Sequence, residues 1–251
     1  MAGRLSVQKT DLQADEIQPE AFRKHFSDPV SYRWERDVLK ALQGPSVPRL
    51  IRASDADQTL YLEPVGQDLL TLATVEQHSF SMQQIRRVLA GILDGLTEVH
   101  GKGFCHYDVT ARNVCITGDL NTTFGVKLID FGLTFPLNNI PKAYQQQIIG
   151  TRSCLSPEHL SCSPQFGQAA DIFCAGLTTV QMMQGGLDAL SPLYGSLQTQ
   201  VEQAYRLIPE TTISGDTVPA DFQQLLRVML SKEPAQRGSS TMCRKLLGPL
   251  K

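Results

Sequence analysis

The sequence predicts an α+β fold in two lobes, a small strand-bearing part followed by a larger helical one. Short runs suited to strands fall before residue 64, and the long helical periodicities fall after it. Between them, Glu63-Pro64-Val65-Gly66 reads as an extended connector, because proline blocks a strand ladder and glycine loosens the chain. The length of 251 residues suits one large domain or two closely packed lobes.

The elements follow in order. Residues 4–9 alternate apolar and polar as a half-buried strand does, while 10–26 are polar and ambiguous. Ser27-Asp28-Pro29 offers an N-cap and a first-turn proline. Val30, Trp34, Val38, Ala41 and Leu42 then recur at helical spacing until Gly44-Pro45. Residues 49–52 and 59–63 read as short strands around Ser54-Asp55-Ala56-Asp57. Over 82–100, Ile85, Val88, Leu89, Ile92, Leu93, Leu96 and Val99 form a broad apolar stripe that Gly101-Lys102-Gly103 ends. Strand-like runs at 114–117 and 126–129 precede a long surface loop over 133–157, and 169–184 and 221–231 read as helices.

Composition excludes several classes. Hydrophobic residues at 41% and charged residues at 19% are those of a globular chain, and a net charge of −2 gives no global field for nucleic acid or an anionic membrane. An anion must therefore be held by local groups. No apolar run is long enough for a membrane span, and the N-terminus lacks the apolar core of a secretory signal. The six cysteines are scattered with no C-x-x-C pair, which points to reduced thiols in a cytoplasmic fold and gives no zinc site.

Two segments carry the chemistry: His106-Tyr107-Asp108-Val109-Thr110-Ala111-Arg112-Asn113, and Asp130-Phe131-Gly132 after Val126-Lys127-Leu128-Ile129. They resemble the catalytic loop H-R-D-L-x-x-x-N and the D-F-G of the protein kinase superfamily, with Val109 for leucine. Further elements fall in the family's order. Ser156-Pro157-Glu158 resembles A-P-E, Asp171 to Gly176 resembles D-x-W-S-x-G, and Glu233-Pro234-Ala235-Gln236-Arg237 resembles D-P-x-x-R. The resemblance covers about residues 28–245. It implies a bilobal protein-kinase-like fold with a reduced N-terminal β lobe over 1–63, a hinge at 64–68 and a helical lobe over 69–251. It also implies ATP and Mg²⁺ as cofactors, because phosphoryl transfer needs a cation to neutralise charge developing on phosphate oxygens. By resemblance, Asp130 and Asn113 are the oxygen ligands of Mg²⁺, and Asp108 orients the substrate hydroxyl and takes its proton. Glu158 pairs with Arg237. His100 and His106 are packing or backbone-orienting residues.

The nucleotide-holding end is less regular. Glu35 matches the helix glutamate that pins a strand lysine. Lys9, in Val7-Gln8-Lys9, is the favoured lysine and Lys24 its rival; with Lys9 the separation from Glu35 is longer than usual in the family. No glycine-rich loop is visible, since only eight residues precede Lys9 and Gly3 stands alone. The implied choices are a minimal kinase, a chain lacking its first strands, or another segment or partner completing the lobe. In the hinge stretch, Leu62 corresponds to the gatekeeper, Glu63 and Val65 to the residues whose backbone meets adenine, and Asp68 to a ribose contact.

Thr110-Ala111-Arg112 approaches the A-A-R of tyrosine kinases, and Arg112 stands in for an absent lysine in steering the γ-phosphate. Gly150-Thr151 with Ser156-Pro157-Glu158 resembles serine/threonine kinases, where that threonine contacts the catalytic aspartate. Serine/threonine specificity toward a protein substrate is favoured. Tyr107 replaces the arginine that receives an activation-loop phosphate, so the sequence predicts activity independent of phosphorylation at Thr134, Tyr144 or Ser153. Trimmed kinases with altered H-R-D motifs occur among bacterial effectors, which adds the host cytosol as a setting. The alternatives are a pseudokinase acting as a scaffold or allosteric partner, and a kinase-like enzyme acting on a small molecule.

Overall fold

The computed structural model describes residues 21–137, 150–151, 154–160, 167–185 and 208–250. The strand expected over 4–9, Lys9, Tyr144 and Ser153 lie outside these residues.

The N-terminal part is a three-stranded antiparallel sheet with one helix. Strands β1 (Phe22–His25), β2 (Leu50–Ser54) and β3 (Thr59–Leu62) pair in the order β1-β3-β2. Every residue of β3 is buried, whereas β1 is mostly exposed and is held as a strand by its pairing from Phe22↔Leu62 to His25↔Thr59. Helix α1 (Pro29–Ala41) starts where expected. The Asp28 carboxylate accepts from the Val30 and Ser31 amides at 3.2 and 2.8 Å, and Pro29 lacks the amide that would go unpaired. Its buried face carries Tyr32, Glu35, Val38 and Leu39.

The segment after α1 is fastened to the C-terminal part. The Glu98 carboxylate accepts from the Gln43 and Gly44 amides. The Leu128 amide donates to Ser46 O at 2.9 Å, and Lys127 Nζ donates to Pro45 O at 3.1 Å and Val47 O at 3.3 Å.

The C-terminal part is mainly helical. A short strand β4 (Gln67–Asp68) leads into α2 (Leu69–Thr74), which Asp68 caps. Helix α3 (Met82–Gly101) begins with a capping box of Ser81 and Gln84, and it buries the stripe seen in the sequence. Strands β6 (Val114–Gly118) and β7 (Phe124–Leu128) form a hairpin that β4 joins. A Cβ on Gly91 would collide with Val126, so glycine there lets α3 lie close against β7. The short α4 (Pro157–Leu160) precedes α5 (Gln168–Gln184), which is buried from Ala170 to Met183, including the polar Asp171, Thr178, Thr179 and Gln181. Helices α6 (Ala220–Met229) and α7 (Ser240–Leu247) complete the core.

The 133–157 stretch departs from the expected surface loop. Phe104–Cys105 (β5) pairs with Phe135–Pro136 (β8), and Thr134, Phe135, Cys154, Leu155 and Ser156 are buried. Thr134 is therefore a packed residue rather than an accessible phosphorylation site, because its apolar neighbours hold it inside.

Candidate active site

The loop from His106 to Asn113 is fixed from beneath by Asp171, near the start of α5. This wholly buried carboxylate accepts from the amides of His106 and Tyr107, each at 2.8 Å, and lies 2.8 Å from His100 Nε2. Burial alone would raise its pKa, but the hydrogen bond and charge of His100 and the His106 amide hold it below the ordinary carboxylate value. Tyr107 sits at φ 62° and Asp130 at φ 63°, the left-handed region that costs an ordinary residue on the order of 1 kcal/mol. Both strained residues are over-determined, Tyr107 by its amide bond to Asp171 and Asp130 by a lysine described below.

His106 orients backbone. Its Nδ1 accepts from the Asp108 amide at 3.3 Å, so Nε2, 3.1 Å from Ile129 O, carries the proton. Its ring meets Phe131 edge-on at 5.1 Å.

The catalytic-loop polar groups converge. Asp108 Oδ2 accepts from Asn113 Nδ2 at 2.7 Å, and Oδ1 accepts from the Thr151 amide at 2.9 Å. Asn113 Nδ2 also donates to Asp108 O at 2.9 Å. Both amide hydrogens are thus used, and Asn113 Oδ1 remains as an acceptor for a cation.

Across the cleft, Lys24 on β1 bridges two carboxylates. Its Nζ lies 2.7 and 2.8 Å from the two Glu35 oxygens and 2.9 Å from Asp130 Oδ1. Burial favours the neutral amine, but Glu35 and Asp130 outweigh it and raise the Lys24 pKa. Burial would likewise raise Asp130, yet Lys24 holds it below the ordinary value. Glu35 is almost wholly buried, and that burial pushes its pKa up against the pull of Lys24. Lys24 thus stands where the sequence reading had favoured Lys9. The two were separable only by pairing, because β1 carries no hydrophobic alternation to mark it as a strand.

A cleft of about 890 Å³ opens between these groups, with Lys24, Glu35, Leu62, Glu63, Val65 and Asp130 among its lining residues. Arg112 lines it too, beside Asp68 and Cys115. Glu63 faces two ways: it lines the cleft, but its carboxylate turns outward to Lys127 Nζ at 2.5 Å and the Arg49 amide at 3.0 Å. The Asp68 carboxylate is committed to capping α2, accepting from Thr71 N at 2.9 Å and Thr71 Oγ1 at 2.7 Å. Farther off, Arg237 and Glu158 form the expected pair, at 2.5 and 2.8 Å.

Sequence reasoning missed one connection at this site. Trp34 Nε1 donates to Thr134 O at 2.8 Å, and its ring lies 5.5 Å from Phe135, which in turn lies 6.4 Å from the Tyr107 ring. Trp34 had registered only as a core position on α1. Nothing in its spacing pointed across to residue 134.

The protein kinase domain family matches residues 17–246. The chain belongs to the protein kinase family. Among similar kinases, it is 28% identical over 201 residues, 79% of its length, to the membrane-associated tyrosine- and threonine-specific cdc2-inhibitory kinase wee-1.3 of Caenorhabditis briggsae. It is 26% identical over 168 residues, 67% of its length, to the probable serine/threonine-protein kinase PkwA of Thermomonospora curvata. To serine/threonine-protein kinase PknL of Mycobacterium tuberculosis it is 28% identical over 186 residues, 71% of its length. The kinase chain spans 28%, 21% and 43% of these relatives' own lengths. Among its described residues, no helix is long and apolar enough to cross a membrane.

Proposed function

We propose that this kinase domain is catalytically active and transfers the γ-phosphoryl group of ATP to a protein hydroxyl, serine or threonine in preference to tyrosine. The observation that carries the reading is a pair of linked sets: Lys24 between Glu35 and Asp130 on the cleft wall, and Asp108 hydrogen-bonded to Asn113 in the loop that also brings Arg112 to that wall. A scaffold with no phosphoryl to transfer has no need to hold a half-buried lysine between two carboxylates.

Magnesium-bound ATP fits this donor set, because the Asp130 carboxylate and Asn113 Oδ1 are hard oxygen ligands and Lys24 is a cation beside them. When bound, the metal neutralises charge developing on the phosphate oxygens. The chain's own groups do the rest. Lys24, pinned by Glu35, holds the phosphates. The backbone at Glu63, the last residue of an N-terminal lobe (1–63), and at Val65, within a hinge at residues 64–68 that leads to a C-terminal lobe (69–251), meets the adenine edge. Arg112, exposed on the cleft wall, adds positive charge on the nucleotide side. Asp108 orients the substrate hydroxyl and accepts its proton as the new oxygen–phosphorus bond forms and the bridge to the β-phosphate breaks, releasing ADP. The Gly150-Thr151 resemblance supports serine/threonine preference, and the Thr151 amide donates to Asp108 Oδ1 at 2.9 Å, so that residue lies against the aspartate. Buried Tyr107 supports activity without activation-loop phosphorylation, because a tyrosine packed at 6.4 Å from Phe135 and 6.2 Å from His159 offers no charge to a phosphate.

The test is incubation with labelled ATP and Mg²⁺ beside Asp108→Ala and Asp130→Ala. Label passes to protein in the wild type, and Asp108→Ala lowers the rate by about 10²–10⁴-fold. Nucleotide binding without transfer by the wild type would establish the pseudokinase reading instead.

A further inference from the structure

A second groove, of about 830 Å³, lies behind the hinge and takes in Glu63 from the side its carboxylate faces. Residues 49–53 all line it. Side chains on a strand alternate between faces, so five consecutive lining residues mean that the groove runs along the edge of β2. The sheet order β1-β3-β2 makes β2 an edge strand, and its register with β3 shifts between Leu50 and Arg52. Among the described residues, no strand pairs with its outer side.

The chemistry of the groove is one-sided. Lys40, Arg49, Arg52 and Lys127 line it, and Glu63 is its one carboxylate. Glu63 is already engaged by Lys127 and the Arg49 amide. Among the described residues, Lys40 and Arg52 make no ion pair, and the Arg52 guanidinium lies over the Tyr61 ring at 4.3 Å. Leu39 and Leu42 add apolar surface to the lining. The cations come from the end of α1, from along β2 and from β7, so they are spread along the groove and do not converge on one point. That spacing suits a chain of carboxylates rather than a single compact anion.

We propose that this groove binds an extended acidic peptide segment of a partner protein, which adds to the free edge of β2 and sets alternate carboxylates against Lys40, Arg49 and Arg52. Main-chain pairing supplies the register, and charge supplies the choice of partner. This site is independent of the phosphotransfer reading, because it stands on the far side of Glu63 from the nucleotide cleft.

The test is fluorescence polarisation with a labelled peptide alternating glutamate and leucine, and a matched peptide alternating glutamine and leucine. The acidic peptide binds saturably, and added salt weakens it. Arg49→Glu with Arg52→Glu weakens it at least about tenfold. Lys40→Glu, on a different element, does the same, and thermal unfolding verifies that each variant is folded. Peptide binding persists in Lys24→Met. Absence of saturable binding, equal binding of the glutamine peptide, or affinity unchanged in the folded charge-reversal variants would overturn the proposal. So would displacement by inorganic phosphate alone, or self-association of the free chain that the same variants abolish.

Discussion

Arg237→Ala should destabilise the kinase domain by about 3–5 kcal/mol, because it leaves a carboxylate buried without its cation. The guanidinium is wholly buried and all five of its N–H groups are used. Nη1 and Nη2 reach the two Glu158 oxygens at 2.5 and 2.8 Å, while Nε, Nη1 and Nη2 also reach Ser231 O, Ala169 O and Lys232 O at 2.8, 2.9 and 3.1 Å. Alanine removes every one of these bonds and also the stacking on Phe173 at 4.8 Å. The three orphaned carbonyls would each add about 1 kcal/mol, but water entering the cavity returns part of that. For a chain of this size the loss corresponds to a fall in Tm of roughly 6–20 °C, read by thermal or urea unfolding. The double variant Arg237→Met with Glu158→Leu should recover most of it, since hydrophobic side chains of similar volume replace a buried pair at little cost. A loss below about 1 kcal/mol in Arg237→Ala, or a double variant no more stable than the worse single one, would refute the reasoning.

Three further outcomes are expected. Lys24→Met should lower label transfer by at least about a hundredfold, with a stability loss of about 1–3 kcal/mol as buried Glu35 loses its cation, whereas Lys9→Met should leave transfer near the wild-type rate. His159 is wholly buried and its pKa is pushed down to about 4, chiefly by burial. Below pH ~6.5 the unfolded chain takes up a proton at this ring that the folded chain refuses, so stability is intact above that pH and falls by about 3 kcal/mol toward pH 4; urea unfolding of His159→Gln should show a correspondingly flatter pH profile. Transfer activity should survive phosphatase treatment, and Trp34→Ala, which removes the bond to Thr134 O and the contact with Phe135, should lower activity more than Trp34→Phe, which removes the bond alone.

Helices α3, α5 and α6 were legible in the sequence to within a few residues, whereas the short α2, α4 and α7 were not. Helix α3 buries one broad face, so its apolar periodicity is written along the chain, while α5 is buried along nearly its whole length. The contact within the loop from His106 to Asn113 was within reach of the sequence because Asp108 and Asn113, joined at 2.7 Å, lie only five residues apart. Strand β1 was not. Its residues are mostly exposed, and Phe22, Arg23, Lys24 and His25 become a strand only through the buried Tyr61 and its neighbours on β3. The pairing of Lys24 was hidden with it, since Lys24 is marked by what it meets 106 residues away, at Asp130. The burial of Thr134 and Phe135 was hidden for the same reason, as β8 is two residues long and exists by pairing with β5.

These long-range contacts also determine what Tyr107 means. On the proposed function Glu35 stays turned toward Lys24 for the cleft to hold phosphate, and α1 is tied to the C-terminal part at its middle and beyond its end. At its middle, Trp34 is bonded to Thr134 O; beyond its end, Glu98 holds the Gln43 and Gly44 amides, and the Leu128 amide donates to Ser46 O. Swinging Glu35 outward breaks the Trp34 bond and the Lys24 pair together. At about 1 kcal/mol for a neutral bond and about 2 for a charged one, the inward position is favoured by about 3 kcal/mol. At 1.4 kcal/mol per tenfold, under about 1% of molecules would have Glu35 turned out. A kinase whose helix is already held to that degree gains little from a phosphate on its activation loop, and a tyrosine can then fill the position where an arginine would otherwise wait for one.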